Sequence, residues 1–87
     1  MQLTKALSNE WCSLGVNVNA IAPGYMITEL TKDLVETDLG KSYTARIPAG
    51  RWGTPDDLMG TAVFLASSAS DYVNGYTVAV DGGWLGR

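Results

Sequence analysis

Pro23-Gly24, followed four residues after the Gly by Thr28, is where the residue types of this chain come nearest to a ligand site. The pair closes Val16-Asn-Val-Asn-Ala-Ile-Ala22, a short apolar run that reads as a buried strand. In open parallel α/β sheets, ligands bind beyond the carboxyl ends of strands. A Gly at that point lets a ligand approach the backbone, and a helix start offers unpaired N–H groups. Such a turn can hold a polar group. The same residues also fit a plain strand-to-helix turn with Thr28 as N-cap.

The remaining reactive side chains do not assemble a catalytic set. No His is present, which excludes His-based triads and His metal sites. Asp56 and Asp57 are adjacent carboxylates, but they fall in the first turn of a helix, where acids stabilise the N-terminus. Cys12 has no neighbouring cation to activate its thiol and no second Cys to pair with. With no signal peptide in view, a lone Cys points to a reducing, cytoplasmic setting.

At 87 residues the chain makes one domain at most, near the lower limit for a self-sufficient core. Its hydrophobic fraction of 46% is that of a globular protein rather than a disordered one. Six basic against nine acidic residues, with no basic run, argue against nucleic acid or an anionic membrane as partner. No apolar stretch approaches a membrane span.

Leu3, Leu7, Trp11 and Leu14 recur at helical spacing, so a helix is expected from Gln2 to Leu14, capped by Gly15. The strand Val16–Ala22 follows, with both faces covered. Thr28 then caps a short superficial helix marked by Leu30, Leu34 and Leu39 and ending at Gly40. Tyr43 to Ile47 form one more helical turn before Pro48-Ala49-Gly50. Thr54-Pro55-Asp56-Asp57 opens a helix from Pro55 to about Ser67 with a broad apolar face. Asn74-Gly75 is a turn, and Tyr76 to Val80 is a second buried-type strand closed by Asp81-Gly82-Gly83. Two parallel strands linked through helices cannot cover each other's faces. The fold class is therefore α/β, and the elements read as one end of a larger parallel sheet.

Five motifs carry a family resemblance. They are Asn19-Ala-Ile-Ala-Pro23-Gly24-x-x-x-Thr28, Arg46-Ile-Pro-x-x-Arg51-x-Gly53-x-Pro55-x-Asp57, Phe64-Leu-Ala-Ser67, Asn74-Gly75 and Val80-Asp-Gly-Gly83. In order and spacing they resemble the C-terminal part of the short-chain dehydrogenases/reductases, across nearly the whole chain. Arg46–Gly53, Ala66–Gly75 and Val80–Leu85 look most like the sugar-acid members, the 2-deoxy-D-gluconate 3-dehydrogenase (2-dehydro-3-deoxy-D-gluconate 5-dehydrogenase) group.

The resemblance implies the C-terminal segment of a Rossmann-type doubly wound sheet, in an oxidoreductase that moves a hydride between NAD or NADP and a hydroxy or keto sugar acid. It places Met1 in a long helix shortly after the family's Tyr-x-x-x-Lys motif. Neither that motif nor a Gly-x-x-x-Gly-x-Gly loop occurs in these residues. The 87 residues alone are accordingly expected to be inactive and to bind neither dinucleotide. By the same resemblance, Met26 (main chain) and Thr28 contact the nicotinamide end of the cofactor, and Pro23 and Gly24 shape the turn. Leu30, Leu34 and Tyr43 belong to a substrate lid. Arg51 and Trp52, with Arg46, are candidates to contact a sugar-acid carboxylate, for which Arg geometry is suited. The favoured reading is structural, with Arg51 pairing with Asp56 or Asp57 or with backbone carbonyls. The helix 55–67 and the strand 76–80 form a homo-oligomer interface, near which Trp84 and Leu85 pack. A non-catalytic module that associates with a full-length homologue is the alternative function.

Overall fold

A computed structural model describes residues 2–87, so the expectation placed on Met1 lies outside the described residues. The element order is α1 (Gln2–Trp11), β1 (Ala20–Pro23), α2 (Asp38–Ala45), α3 (Asp56–Ala66) and β2 (Thr77–Val80), with 3-10 turns at Cys12–Leu14, Ser68–Ser70 and Trp84–Gly86. The two strands pair as one sheet. The chain divides into two compact units, one from the start through Ala22 plus Gly60–Val78, the other Pro23–Met59 plus Ala79–Arg87.

In the first unit, α1 ends at Trp11, short of the expected Leu14. Its buried residues are Thr4 and Ser8, while Leu3 is 68% exposed and Leu14, in the following turn, 74%. The apolar spacing was a true helix signal, but it marks the outward face. Ser8 turns inward because its hydroxyl donates to Asn74 Oδ1 at 2.7 Å.

The strand begins later than its apolar pattern implies, at Ala20 rather than Val16. Side-chain amides supply part of the pairing at Val18 and Asn19. Val18 N–H donates to Asn74 Oδ1 (2.9 Å), and Asn19 spans Val73 O and Tyr76 N–H (2.9 and 3.0 Å). Backbone pairing begins with Gly75 N–H to Val18 O at 2.8 Å and continues with Ala20 N–H to Tyr76 O at 2.9 Å. Both strands are half-buried along most of their length rather than covered on both faces.

In the second unit, Gly24 N–H donates to Val80 O at 3.0 Å, four residues on in both strands from the Ala20–Tyr76 bond, which is a parallel register. The helix expected from Thr28 to Gly40 is not formed. Residues 29–36 run as successive turns, and α2 begins only after Thr37, whose hydroxyl accepts Gly40 N–H at 3.1 Å. Thr31 caps only the first turn, its hydroxyl taking Thr28 N–H (2.9 Å) and donating to Met26 O (2.6 Å), and Lys32 N–H still reaches Thr28 O at 2.9 Å. Beyond that turn the bonds span three residues, Leu34 N–H to Thr31 O (2.9 Å) and Thr37 N–H to Leu34 O (3.1 Å), so the helix does not propagate. Gly40 lies inside α2, buried against the Leu34 carbonyl, and does not terminate a helix.

The start of α3 agrees closely with its sequence signal, although the first helical residue is Asp56, after Pro55. The cap works through Asp57, whose carboxylate accepts Thr54 N–H at 2.8 Å, rather than through the Thr54 hydroxyl. The core of this unit is Ile47 and Trp52, 5% and 3% exposed, with Trp52 Nε1–H donating to Thr44 Oγ1 at 2.9 Å. No helix among the described residues is long and apolar enough to cross a membrane.

Candidate cofactor-binding turn

Pro23 ends β1 and is exposed. Gly24 then passes against Asp81, so closely that a Cβ on Gly24 would lie 2.8 Å from the Asp81 Cα. Only a residue without a side chain fits there.

Two residues on, Met26 forms a parallel bridge with Gly53. The bonds of that bridge are Gly53 N–H to Tyr25 O (2.9 Å) and Ile27 N–H to Gly53 O (2.8 Å). In a parallel pair the groups of the flanking residues face the partner, so the N–H and C=O of Met26 itself point to the opposite side. Thr31 Oγ1 takes that carbonyl at 2.6 Å. Met26 N–H makes no hydrogen bond among the described residues. An outward backbone donor at a strand's carboxyl end is a fitting group for a carboxamide oxygen.

Thr28 is exposed, with its hydroxyl accepting Leu30 N–H at 3.2 Å and lying 3.3 Å from Thr31 Oγ1. It caps a turn rather than a helix, and since Thr31 gives its one proton to Met26 O, the Thr28 hydroxyl is the donor in the long 3.3 Å contact. Pro23, Gly24, Met26 and Thr28 thus lie along one continuous edge. Thr31 belongs with them, and sequence reading gave it no such role; the Thr28-x-x-Thr31 spacing was the available signal.

The residues expected in the lid separate. Leu30 is 95% exposed and Leu34 is half-buried. Tyr43 stacks on Tyr25 with ring centroids 4.8 Å apart, and Trp52 tilts against the same ring at 5.2 Å. Trp84 meets Tyr25 edge-on at 5.0 Å and carries Arg87 over its face at 3.8 Å. Tyr25 is the centre of this cluster, which no spacing pattern announced.

Arg51 makes a fork with Asp57, Nη1 to Oδ2 at 2.8 Å and Nη2 to Oδ1 at 3.0 Å, and Nη1 also reaches Trp52 O at 3.1 Å. Of the two uses open to Arg51 in the sequence, the geometry is that of the internal pair. The hydrogen bond from Arg51, with that from Thr54 N–H, holds the Asp57 carboxyl well below the usual carboxylate range, and Asp57 in turn raises the Arg51 pKa. A cavity of about 160 Å³ lies beside the bridge, lined by Met26, Gly53, Arg51, Asp57 and Asp81 among others. That is below the ~300–1,000 Å³ usual for a ligand pocket. A wider hollow of about 640 Å³ includes Ile27, Lys41, Arg51 and Trp52. No group of acidic, Cys or His residues among those described is arranged to hold a metal ion.

The family described as Enoyl-(Acyl carrier protein) reductase matches residues 1–85. The chain belongs to the short-chain dehydrogenases/reductases. Among members of this family, the 2-dehydro-3-deoxy-D-gluconate 5-dehydrogenase of Dickeya dadantii is 65% identical over 88 residues, covering 100% of this chain and 35% of that protein. A protein of Agrobacterium tumefaciens described as a 2-deoxy-D-gluconate 3-dehydrogenase, solved with bound NADP, superposes with a TM-score of 0.93. It is 55% identical, covering 99% of this chain and 35% of the other. A gluconate 5-dehydrogenase of Burkholderia cenocepacia, in complex with NADP and tartrate, gives a TM-score of 0.90 at 47% identity, covering 99% and 34%. The chain therefore spans about a third of the length of these short-chain dehydrogenases/reductases. Its two parallel strands and their helices are part of the Rossmann-type sheet of that family, as the motifs implied.

Proposed function

We propose that these residues form the C-terminal wall of the nicotinamide pocket in an NAD(P)-dependent dehydrogenase acting on a hydroxy or keto sugar acid. The observation that carries this reading is the Met26 N–H, turned outward by the bridge to Gly53 at the end of β1. Met26 N–H binds the carboxamide oxygen of the nicotinamide, and the exposed Thr28 hydroxyl donates to the same end of the cofactor. Gly24 and Pro23 bring the backbone close enough for both. The nicotinamide, when bound, supplies or accepts the hydride. The chain's own part is binding and orientation.

Leu30 and Leu34, on the turns that follow, cover the substrate side, while Tyr43 and Trp52 brace Tyr25 from below the same wall. The names of the relatives support a sugar acid as substrate. Neither a Tyr-x-x-x-Lys pair nor a Gly-x-x-x-Gly-x-Gly loop is among the 87 residues, so by themselves they are expected to turn over no sugar acid and to hold no dinucleotide.

The test is a chimera in which this chain replaces the matching third of the Dickeya dadantii enzyme. The reading expects NADP- or NAD-dependent oxidation of a sugar acid by the chimera, lost on Gly24→Val, and none by the purified 87-mer. A chimera that folds yet takes up neither dinucleotide refutes it.

A second reading rests on a separate observation. Val63 and Phe64 of α3 are 66% and 41% exposed, and Tyr76 before β2 is also exposed. Large apolar side chains in that state commonly mark an association surface. The helix 55–67 and strand 76–80 would then join copies of the chain, or join it to a full-length homologue as a non-catalytic module. Co-migration of the 87-mer with such a homologue on a sizing column separates this from the first reading.

A further inference from the structure

We propose that the Arg51–Asp57 pair is a positioning device for the cofactor-binding turn, setting the Met26 N–H through the backbone of Gly53. The proposal rests on the nicotinamide reading of that turn. Asp57 Oδ2 receives Arg51 Nη1–H and Thr54 N–H, both at 2.8 Å, and Arg51 Nη1 also holds Trp52 O at 3.1 Å. The carbonyl before Gly53 and the N–H after it are therefore both tied to one ion pair. Between those ties, Gly53 has its own N–H and C=O left for Tyr25 and Ile27, at 2.9 and 2.8 Å. Those two bonds are what rotate the Met26 peptide outward.

The Met26 side chain completes the arrangement by lying over Gly53, where a Cβ would come 2.7 Å from the Met26 Sδ. An Ala at 53 would push Met26 aside. The pair touches neither the Met26 N–H nor Thr28; it acts through the Trp52–Thr54 backbone. Charge-assisted bonds are the stronger kind, and fork geometry adds direction, which is what a fixed backbone donor needs.

The test uses both the 87-residue chain and the chimera, in Arg51→Lys, Arg51→Met and Asp57→Asn forms. Amide hydrogen exchange at Ile27 and Gly53 should rise about tenfold in Asp57→Asn and Arg51→Met, with Ala20 unchanged and Arg51→Lys intermediate. In the chimera, the cofactor KM should rise about tenfold in the same order, with kcat changed far less. Lysine supplies the charge without the fork, so its intermediate place is the signature of positioning rather than of bulk stability. If the unsubstituted chimera takes up no dinucleotide, the nicotinamide reading fails and this proposal falls with it. If uptake is normal but the KM of Asp57→Asn is unchanged, or Ile27 exchange does not respond, the positioning role alone is refuted.

Discussion

Gly24 lies against Asp81 with no room for a methyl group, since a Cβ there would meet the Asp81 Cα and Cβ at 2.8 Å. This contact joins the end of β1 to the residue following β2 and fixes where the turn toward Met26 begins. Gly24→Ala should destabilise the chain by about 1–3 kcal/mol through overpacking against backbone. Gly60→Ala is the matched control: it sits within α3 with nothing within 4 Å of a built Cβ. That change should stabilise by roughly 0.5–1 kcal/mol, because Gly is costly inside a helix. Urea titration of both variants checks the pair of signs.

Asn74 should be among the least replaceable polar residues. Its Oδ1 accepts from Ser8 Oγ and Val18 N–H, and its Nδ2 donates to Asn17 Oδ1 and Cys12 Sγ. Asn74→Ala strands the buried Ser8 hydroxyl and the Val18 amide, at a cost of about 2 kcal/mol or more. Denaturant unfolding gives the magnitude, and faster exchange of Val18 N–H should locate it.

Acid should loosen the second unit at an identifiable group. The folded Asp57 carboxyl has its pKa lowered, first by the Arg51 hydrogen bond and then by Thr54 N–H. A depressed folded pKa means that the contribution is complete above the unfolded value of about 3.9 and is lost as pH falls through the folded value. Melting temperature should thus decline below about pH 4. In Asp57→Asn that part of the decline should be absent, which a pH series of thermal melts reads directly.

Trp52 and Thr44 should be energetically coupled. The indole is buried and its N–H donates to the Thr44 hydroxyl at 2.9 Å. Thr44→Val leaves that N–H unpaired and should cost about 1–3 kcal/mol. Trp52→Phe removes donor and partner need together but opens a space. A double-mutant cycle should show the two changes to be less than additive.

Leu30, by contrast, should matter only to substrate. It is 95% exposed, so Leu30→Ser should leave stability within about 0.5 kcal/mol. In the chimera, the same change should raise the sugar-acid KM while the cofactor KM stays fixed. Equal effects on both would remove Leu30 from the proposed cover.

Helix starts were legible where punctuation was strong. Thr54-Pro55-Asp56-Asp57 announced α3 to within a residue, because a cap, Pro and early acids act locally. Leu30, Leu34 and Leu39 misled, since after one capped turn the backbone bonds span only three residues and stop at Thr37, whose hydroxyl caps α2. Val16–Asn19 falls short of a strand because Val18 N–H meets the Asn74 side chain, 56 positions away, while only its carbonyl takes a backbone partner, Gly75 N–H.

The local chemistry of the chain determined its α/β class, its family motifs and the Pro23–Thr28 turn, because these depend on residues close together in sequence. Tertiary structure alone decided which way α1 faces and that Gly53 turns the Met26 N–H outward, and it selected Asp57, six residues on, among the partners that the sequence offered Arg51. The first two depend on contacts between distant segments, and periodicity carries no information about the partner that a side chain will meet.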